Sequence, residues 1–257
     1  MSWIISGKSD PDFEAYVAAV EAADSATLEV GVRQAYYNFI VGCKADGIWD
    51  AIKASCILAG ARTLDGALVP LVGTAPTNYT FDSGDYDREA GLLGNGSTKY
   101  LDSNRNNNAD PQNSKHLAVY AAVGAGQNNA LIGAGRFTDS GSSYILQGST
   151  QAAKVNSGAN SAFSGGGGSR WSSGFIGINR SNSSNFQYRD NGVSATETNA
   201  SVSALNVTTW VFARGGSTPT SIYNDRLAFY SIGESLDLAL LDTRVTTLMS
   251  DLAAAIP

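Results

Sequence analysis

The sequence predicts a mainly β protein with helical ends: an antiparallel jelly-roll β-sandwich preceded by a small N-terminal helical bundle and followed by one C-terminal helix. Three observations predict it. Apolar residues recur at helical spacing before residue 60. From about residue 80 to 233, short runs rich in β-formers are separated by Gly, Asn and Asp turn signals, with no long helical pattern between them. Helical spacing then returns from Leu238 to Leu252. Composition agrees, because 28 glycines in 257 residues and only 16% charged residues suit short strands joined by many turns.

The first element is announced by Ser9-Asp10-Pro11. Asp10 can accept from free N–H groups, and Pro11 falls where no helical N–H is needed. Phe13, Tyr16, Val17 and Val20 then form one apolar stripe, predicting a helix from about Pro11 to Ala23. A second helix fits Thr27 to Cys43, with Val32, Tyr36, Phe39 and Ile40 inward. The spacing predicts a third over Ile48 to Ala59, with Ile48, Trp49, Ile52 and Cys56 on one face and Gly60 as its stop. Pro70 and Pro76 rule out a continuous helix in the next stretch, which reads as an extended connector. The expected division is therefore 1–75 as helical module plus connector, 76–234 as sandwich, and 235–257 as terminal helix. Deleting residues 1–60 should then leave the sheet domain folded.

Within the sandwich, Lys99–Leu101 and His116–Val123 read as strands flanking a polar insert. Ala130–Ala134 and Ser143–Gln147 have hairpin spacing, and Gly165–Gly168 reads as a flexible loop. Trp171–Asn179, Asn185–Arg189, Val193–Thr198 and Asn206–Arg214 follow as strands. Asp190-Asn191-Gly192 is the best hairpin turn, since Asn-Gly readily adopts the positive φ values of a type I′ turn. After Asp237, a plausible cap, Leu238, Leu241, Val245, Leu248 and Leu252 form a heptad-like seam. That seam suits either a homo-oligomer, with a trimer in view, or packing back on the N-terminal helices.

The stretch Gly91-Leu-Leu-Gly-Asn-Gly-Ser-Thr-Lys-Tyr-Leu101 and the run His116-Leu-Ala-Val-Tyr120 resemble the opening of concanavalin A-like lectin/glucanase domains. Tyr223-Asn-Asp-Arg-Leu-Ala-Phe-Tyr-Ser-Ile-Gly-Glu234 resembles their closing strand. The whole chain, with its helical front end, is similar to virion structural proteins of tailed bacteriophages. The resemblance implies a virion protein docked to other virion proteins through the N-terminal helices. The jelly-roll would be displayed for tail-fibre, receptor-binding or capsid-decoration use, with host-surface glycan as a partner. A free carbohydrate-binding module is the alternative, and a glycan-degrading enzyme a third.

The formal charge of −6 gives no electrostatic footprint for nucleic acid, which needs clustered Lys and Arg. No apolar run approaches the roughly 20 residues that span a bilayer, and the Met1 start lacks a secretory pattern. Synthesis in the host cytoplasm and residence on the virion are the expectations. The glucanases of this class carry catalysis on a Glu-x-Asp-x-(x)-Glu strand motif, which this sequence lacks. Between residues 90 and 233 its acids, Asp102, Asp110, Asp139, Asp190, Glu197 and Asp225, lie well apart. No catalytic residues are expected. His116, the one histidine, lies in a predicted strand and reads as structural. Cys43 and Cys56 read as buried thiols, with a single bridge left open.

Binding residues are harder to place. Asp102, Asn104, Asn106 and Asp110 put oxygens at alternate positions, as calcium loops do, but without the central Gly and closing Glu of an EF-hand. An ordinary solvated loop is the other reading, and no cofactor besides calcium is suggested. For sugar, Tyr144, Trp171, Tyr188 and Tyr223 can stack while Asn104, Arg105 and Asn106 hydrogen-bond hydroxyls. The same aromatics could instead fill the core.

Overall fold

The computed structural model describes residues 10–122, 129–147, 152–164 and 173–257. Trp171 and the glycine run 165–168 lie outside the described residues. In chain order the helices are α1 (Pro11–Asp24), α2 (Val30–Ala45), α3 (Leu64–Ala67) and α4 (Leu238–Ala255). The strands are β1 (Ile52–Ile57), β2 (Thr77–Tyr79), β3 (Tyr86–Asp87), β4 (Gly91–Leu93), β5 (Tyr100–Asn106), β6 (Lys115–Ala121), β7 (Asn129–Ala134), β8 (Ser142–Gln147), β9 (Ala152–Ser157), β10 (Phe163–Ser164), β11 (Gly174–Arg180), β12 (Asn185–Asp190), β13 (Val193–Thr198), β14 (Thr208–Val211), β15 (Arg214–Gly215), β16 (Pro219–Thr220) and β17 (Arg226–Gly233).

Among the described residues the strands form two stacked antiparallel sheets. One runs β13-β12-β11-β6-β17-β4-β3, with β1 also pairing β17, and the other runs β10-β9-β8-β7-β14-β5-β2. Between them lies an apolar core that includes Leu101, Leu117, Val119, Ile132, Ile145, Ile176, Val211 and Tyr230. The short hairpin β15–β16 stands apart from both sheets. The antiparallel sandwich with helical ends is thus the observed fold.

A third layer of helices covers the outer face of the eight-stranded sheet. Phe39 of α2 meets Phe229 of β17 edge to face, with ring centroids 5.7 Å apart. Phe175, Ala118 and Phe229 share one buried cluster with Val17, Val32, Tyr36, Leu241 and Leu248. Helix α1 starts where Asp10 accepts from the backbone N–H groups of Asp12 and Phe13. Lys44 then ties that cap to the end of α2, at 2.7 Å from both Asp10 oxygens. The Arg244 guanidinium grips Asp46 with two hydrogen bonds, of 2.7 and 2.9 Å, fixing α4 on α2. Leu238, Leu241, Val245, Leu248 and Leu252 are all buried within this one chain. The seam is therefore packed back on the helices of its own chain, the second of the two readings.

Two expectations need correction. The third helix does not form: only Trp49–Ala51 makes a 3-10 turn, and Ile52–Ile57 is strand β1, paired with β17 from Ile52↔Gly233 to Ile57↔Phe229. Both faces of β1 are covered, Ala54 and Cys56 by the inter-sheet core and Ile57 by the helical layer. A strand buried on both sides reads as a continuous apolar run that periodicity cannot tell from a helix. The boundary expected near 73–80 likewise separates no packing units, since β1 lies in the sheet and the helices share a core with it. The connector also holds the one-turn helix α3, capped by the Thr63 hydroxyl, which accepts from Gly66 N–H at 3.2 Å. The β12–β13 hairpin turns as expected, with φ of 43° at Asn191 and 84° at Gly192.

Candidate functional site

Among the described residues no helix covers the outer face of the seven-stranded sheet. Strand alternation and register decide what points there. Val211 pairs with Leu101 and Ile132, Ile132 with Ile145, and Ile145 with Ala153, and all of these face the inter-sheet core. The neighbouring row therefore faces outward: Lys154↔Tyr144↔Gly133↔Trp210↔Asp102↔Thr77. One step along, Tyr79 pairs with Tyr100.

Three aromatic rings cluster at the β2/β5/β14 end of this row. Tyr79 stacks on Tyr100 with centroids 4.5 Å apart and planes 18° apart. Trp210 meets Tyr100 edge-on at 5.2 Å and Tyr79 at 6.1 Å. Tyr79 is 37% exposed and Trp210 only 7%. The cluster thus presents an open tyrosine platform with an indole set beneath it.

Next along the row, Gly133 leaves room for a cation. A Cβ there would lie 2.3 Å from the Tyr144 Cβ and 3.1 Å from the Arg214 Cβ. Arg214 comes from β15, whose Gly215 carbonyl accepts from Gly135 N–H at 2.6 Å, holding the hairpin against β7. The chain enters and leaves this hairpin through left-handed residues, Phe212 at φ 65° and Ser221 at φ 54°. The Arg214 guanidinium sits 4.8 Å from the Tyr144 ring centroid, within cation–π range.

Four polar atoms in this patch are buried without a hydrogen-bond partner: Tyr144 Oη, Trp210 Nε1, and Arg214 Nε and Nη1. Burial pushes the Arg214 guanidinium below its ordinary pKa and the Tyr144 hydroxyl up to about 12. Lys154, on the far side of Tyr144, gives its ammonium to the carbonyls of Asp139 (2.7 Å) and Phe137 (3.1 Å). Burial brings its pKa down to about 8. Asp102 is the one carboxylate in the row. Its Oδ1 accepts from the Thr208 hydroxyl and, at 2.8 Å, from Asn104 N–H.

Of the residues expected from sequence, Tyr144 and Asp102 lie in this row, Asn104, Arg105, Asn106, Asp110 and Tyr188 do not gather round Tyr144, and Trp171 lies outside the described residues. Tyr188, opposite Ile178 on β12, packs against the inter-sheet core. Tyr223 is fully buried and donates to Gln147 Oε1 at 2.8 Å. Asn104, Arg105 and Asn106 belong to the last part of strand β5, which continues into the expected loop. Asn104 donates to Ala75 O and Asn106 to Asn206 Oδ1. Arg105 pairs with Asp110, which also faces the buried Lys115 ammonium at 3.6 Å. The four side chains expected to form a calcium loop thus each have a different protein partner, Asp102 and Asp110 through their carboxylates and Asn104 and Asn106 through their amide N–H groups. Among the described residues no group of three or more His, Cys, Asp or Glu side chains could hold a metal ion.

His116 is buried, with Nδ1 2.6 Å from Glu234 O and Nε2 2.7 Å from Ser231 Oγ. The carbonyl can only accept, which puts the proton on Nδ1 and leaves Nε2 to accept from Ser231. Burial lowers its pKa to about 4, so the ring is a neutral structural joint at ordinary pH. Cys43 and Cys56 are free buried thiols, one in each core.

The sequence reading missed Tyr79, Tyr100, Trp210, Lys154 and Arg214. Period-two alternation around Leu101 and Val211 would have put Tyr100 and Trp210 on the outward face, had the inward face been known.

No family model and no curated protein matches the chain. Among solved structures, domain 4 of a GH43 extracellular arabinanase from Geobacillus stearothermophilus, in complex with arabinotriose, is similar over 66% of this chain and 82% of that one, at 13% identity and a TM-score of 0.37. The binding domain of botulinum neurotoxin serotype D is similar over 80% of this chain and 52% of its own, at 11% identity and a TM-score of 0.49. A Trypanosoma rangeli sialidase mutant displaying trans-sialidase activity is similar over 87% of this chain and 40% of its own, at 11% identity and a TM-score of 0.49. Likenesses at these values carry no argument about function. The fold rests on the chain's own strand pairing.

Proposed function

We propose that this protein is a non-catalytic saccharide-binding module, with its site on the outer face of the seven-stranded sheet. The observation that carries the reading is the Tyr79–Tyr100 platform in contact with Trp210, whose Nε1 is buried and unpartnered, with the unpartnered Tyr144 Oη further along the same row. Aromatic faces offer flat apolar contact to a sugar ring, and unpaired polar atoms beside them supply hydrogen bonds to its oxygens. Glycoside hydrolysis commonly uses two facing carboxylates, and the row offers Asp102 alone, already held by Thr208 and Asn104. That supports binding without cleavage.

The setting we propose is a tailed-phage virion: the chain is made in the host cytoplasm, the helical layer faces neighbouring virion proteins, and the bare face points outward to host-surface glycan. This setting rests on the sequence resemblance. The shared core of helices and sandwich also favours a second reading, a self-contained carbohydrate-binding module needing no particle. Glycan-array binding of wild type and Tyr79→Ala tests the module, with binding expected for the first and at least a roughly tenfold loss, or about 1.4 kcal/mol, for the second. Gold-labelled antibody on phage particles tests the setting. Label at tail or head supports it, and unlabelled particles leave the free module.

A further inference from the structure

We infer that the bare face selects an acidic sugar, with Arg214 as the residue that receives its carboxylate; the inference rests on the saccharide reading above and names the class of saccharide.

The chain as a whole is acidic, at −6, yet two cations flank Tyr144 on this face, Arg214 over its ring and Lys154 in the adjoining register position. Among the described residues neither makes an ion pair. Lys154 is satisfied by two backbone carbonyls. Among the described residues the Arg214 guanidinium donates to nothing, and its Nε and Nη1 are buried. Among the other described residues, the guanidinium groups that are buried or half-buried are answered. Arg88 takes Glu29, Arg189 takes Asp242 and Arg244 takes Asp46, while Arg180 donates to four backbone carbonyls. A half-buried guanidinium with no acceptor is therefore an exception in this fold, and burying a charge without a partner is costly.

The unpartnered atoms also specify what is missing. Trp210 Nε1, Arg214 Nε and Arg214 Nη1 are donors only, and the Tyr144 hydroxyl can donate as well. Their natural complement is a group rich in acceptors and carrying negative charge. A carboxylate meets both conditions, whereas a neutral hydroxyl would leave the guanidinium with only the Asp139 carboxylate acting on it through space. The Tyr79–Tyr100 platform next to the indole supplies the surface for the sugar ring that bears it. Because Arg214 is partly exposed while Tyr144 and Trp210 are buried, it is the member that an incoming carboxylate meets first.

The test uses the full chain and two probes, tri-galacturonate and sialyllactose, each beside its carboxyl-reduced neutral form, with wild type, Arg214→Gln and Arg214→Lys. Among the described residues the Arg214 side chain makes no hydrogen bond, while its carbonyl accepts from the Thr220 hydroxyl whatever the side chain, so both variants should melt close to wild type, which a thermal scan checks. Binding of at least one acidic probe, weakened tenfold or more by carboxyl reduction and by Arg214→Gln and weakened less by Arg214→Lys, is the expected result. Equal binding of acidic and neutral forms, with Arg214→Gln unchanged, would overturn the acidic-sugar inference and leave the saccharide reading standing. Acidic binding indifferent to Arg214→Gln would remove the carboxylate from this site. No binding of any probe, acidic or neutral, would overturn the inference and count against the saccharide reading as well.

Discussion

The two outer faces of the sandwich are built to opposite specifications. On the eight-stranded sheet, Phe175, Ala118 and Phe229 meet α2 and α4, and the polar residue at the margin, His116, has both ring nitrogens engaged. On the seven-stranded sheet, the outward row holds Trp210, Tyr144 and Lys154 with Arg214 over the Tyr144 ring, and four buried polar atoms there have no partner among the described residues. The face closed by its own chain is mainly apolar, and the Tyr16 hydroxyl is a buried group without a hydrogen-bond partner in its helical layer. Unpaired donors, each costing about 1–3 kcal/mol, are more concentrated on the other face, which is why the proposed partner is placed there.

The largest effect should come from removing the covering layer. Deleting residues 1–60 takes away α1, α2 and strand β1, exposing Phe229 and leaving one side of β17 unpaired. The product should lose its cooperative unfolding transition, as followed by circular dichroism. A deletion product that stays folded would restore the two-unit division expected from sequence. Next in size, Phe229→Ala cuts the contact between layers and should cost about 3–5 kcal/mol in urea unfolding.

A comparable but pH-gated effect is expected at His116. Its folded pKa, about 4, lies below the ordinary value of 6.5 because of burial, so the unfolded chain binds the extra proton first. Stability is then fully present above about pH 6.5 and falls as pH drops toward 4, by roughly 3 kcal/mol across the window. Urea melts at pH 7.5 and 4.5 should show this loss in wild type and a smaller one in His116→Gln. An equal loss in both would assign the acid sensitivity to other groups.

The smallest effect on stability belongs to the bare face. Tyr79→Ala should cost about 1 kcal/mol, the scale of an aromatic pair at a part-exposed site, while carrying the binding loss predicted above. A stability cost as large as that of Phe229→Ala would mean that the tyrosine platform is core and erase the contrast between the faces.

Much of the fold was written locally. Asp10-Pro11 and Asp237 announce their helices because capping is a matter of a few adjacent residues, and Asn191-Gly192 announces its hairpin because positive φ suits those residues. Strand β1 was hidden because being buried on both sides erases the alternation that marks a strand. The site was hidden for a different reason. Alternation separates Tyr188 from Arg189, or Tyr144 from Ile145, but does not say which set looks inward, so Tyr188 was placed with the ligand and Trp210 was passed over. Arg214 reaches Tyr144 only because the β15–β16 hairpin crosses above Gly133, a long-range approach that no local pattern encodes.

The most direct test of the contrast between faces compares two indoles, Trp210 on the bare face and Trp49 in the helical layer, where Lys44 sits 5.4 Å from its ring centroid. The two Nε1–H resonances, assigned by Trp→Phe variants, would be followed by NMR during titration with tri-galacturonate, sialyllactose and their neutral forms. The account predicts that the Trp210 resonance shifts and the Trp49 resonance stays in place. Saccharide binding that leaves Trp210 unmoved, or that moves Trp49 instead, would contradict it.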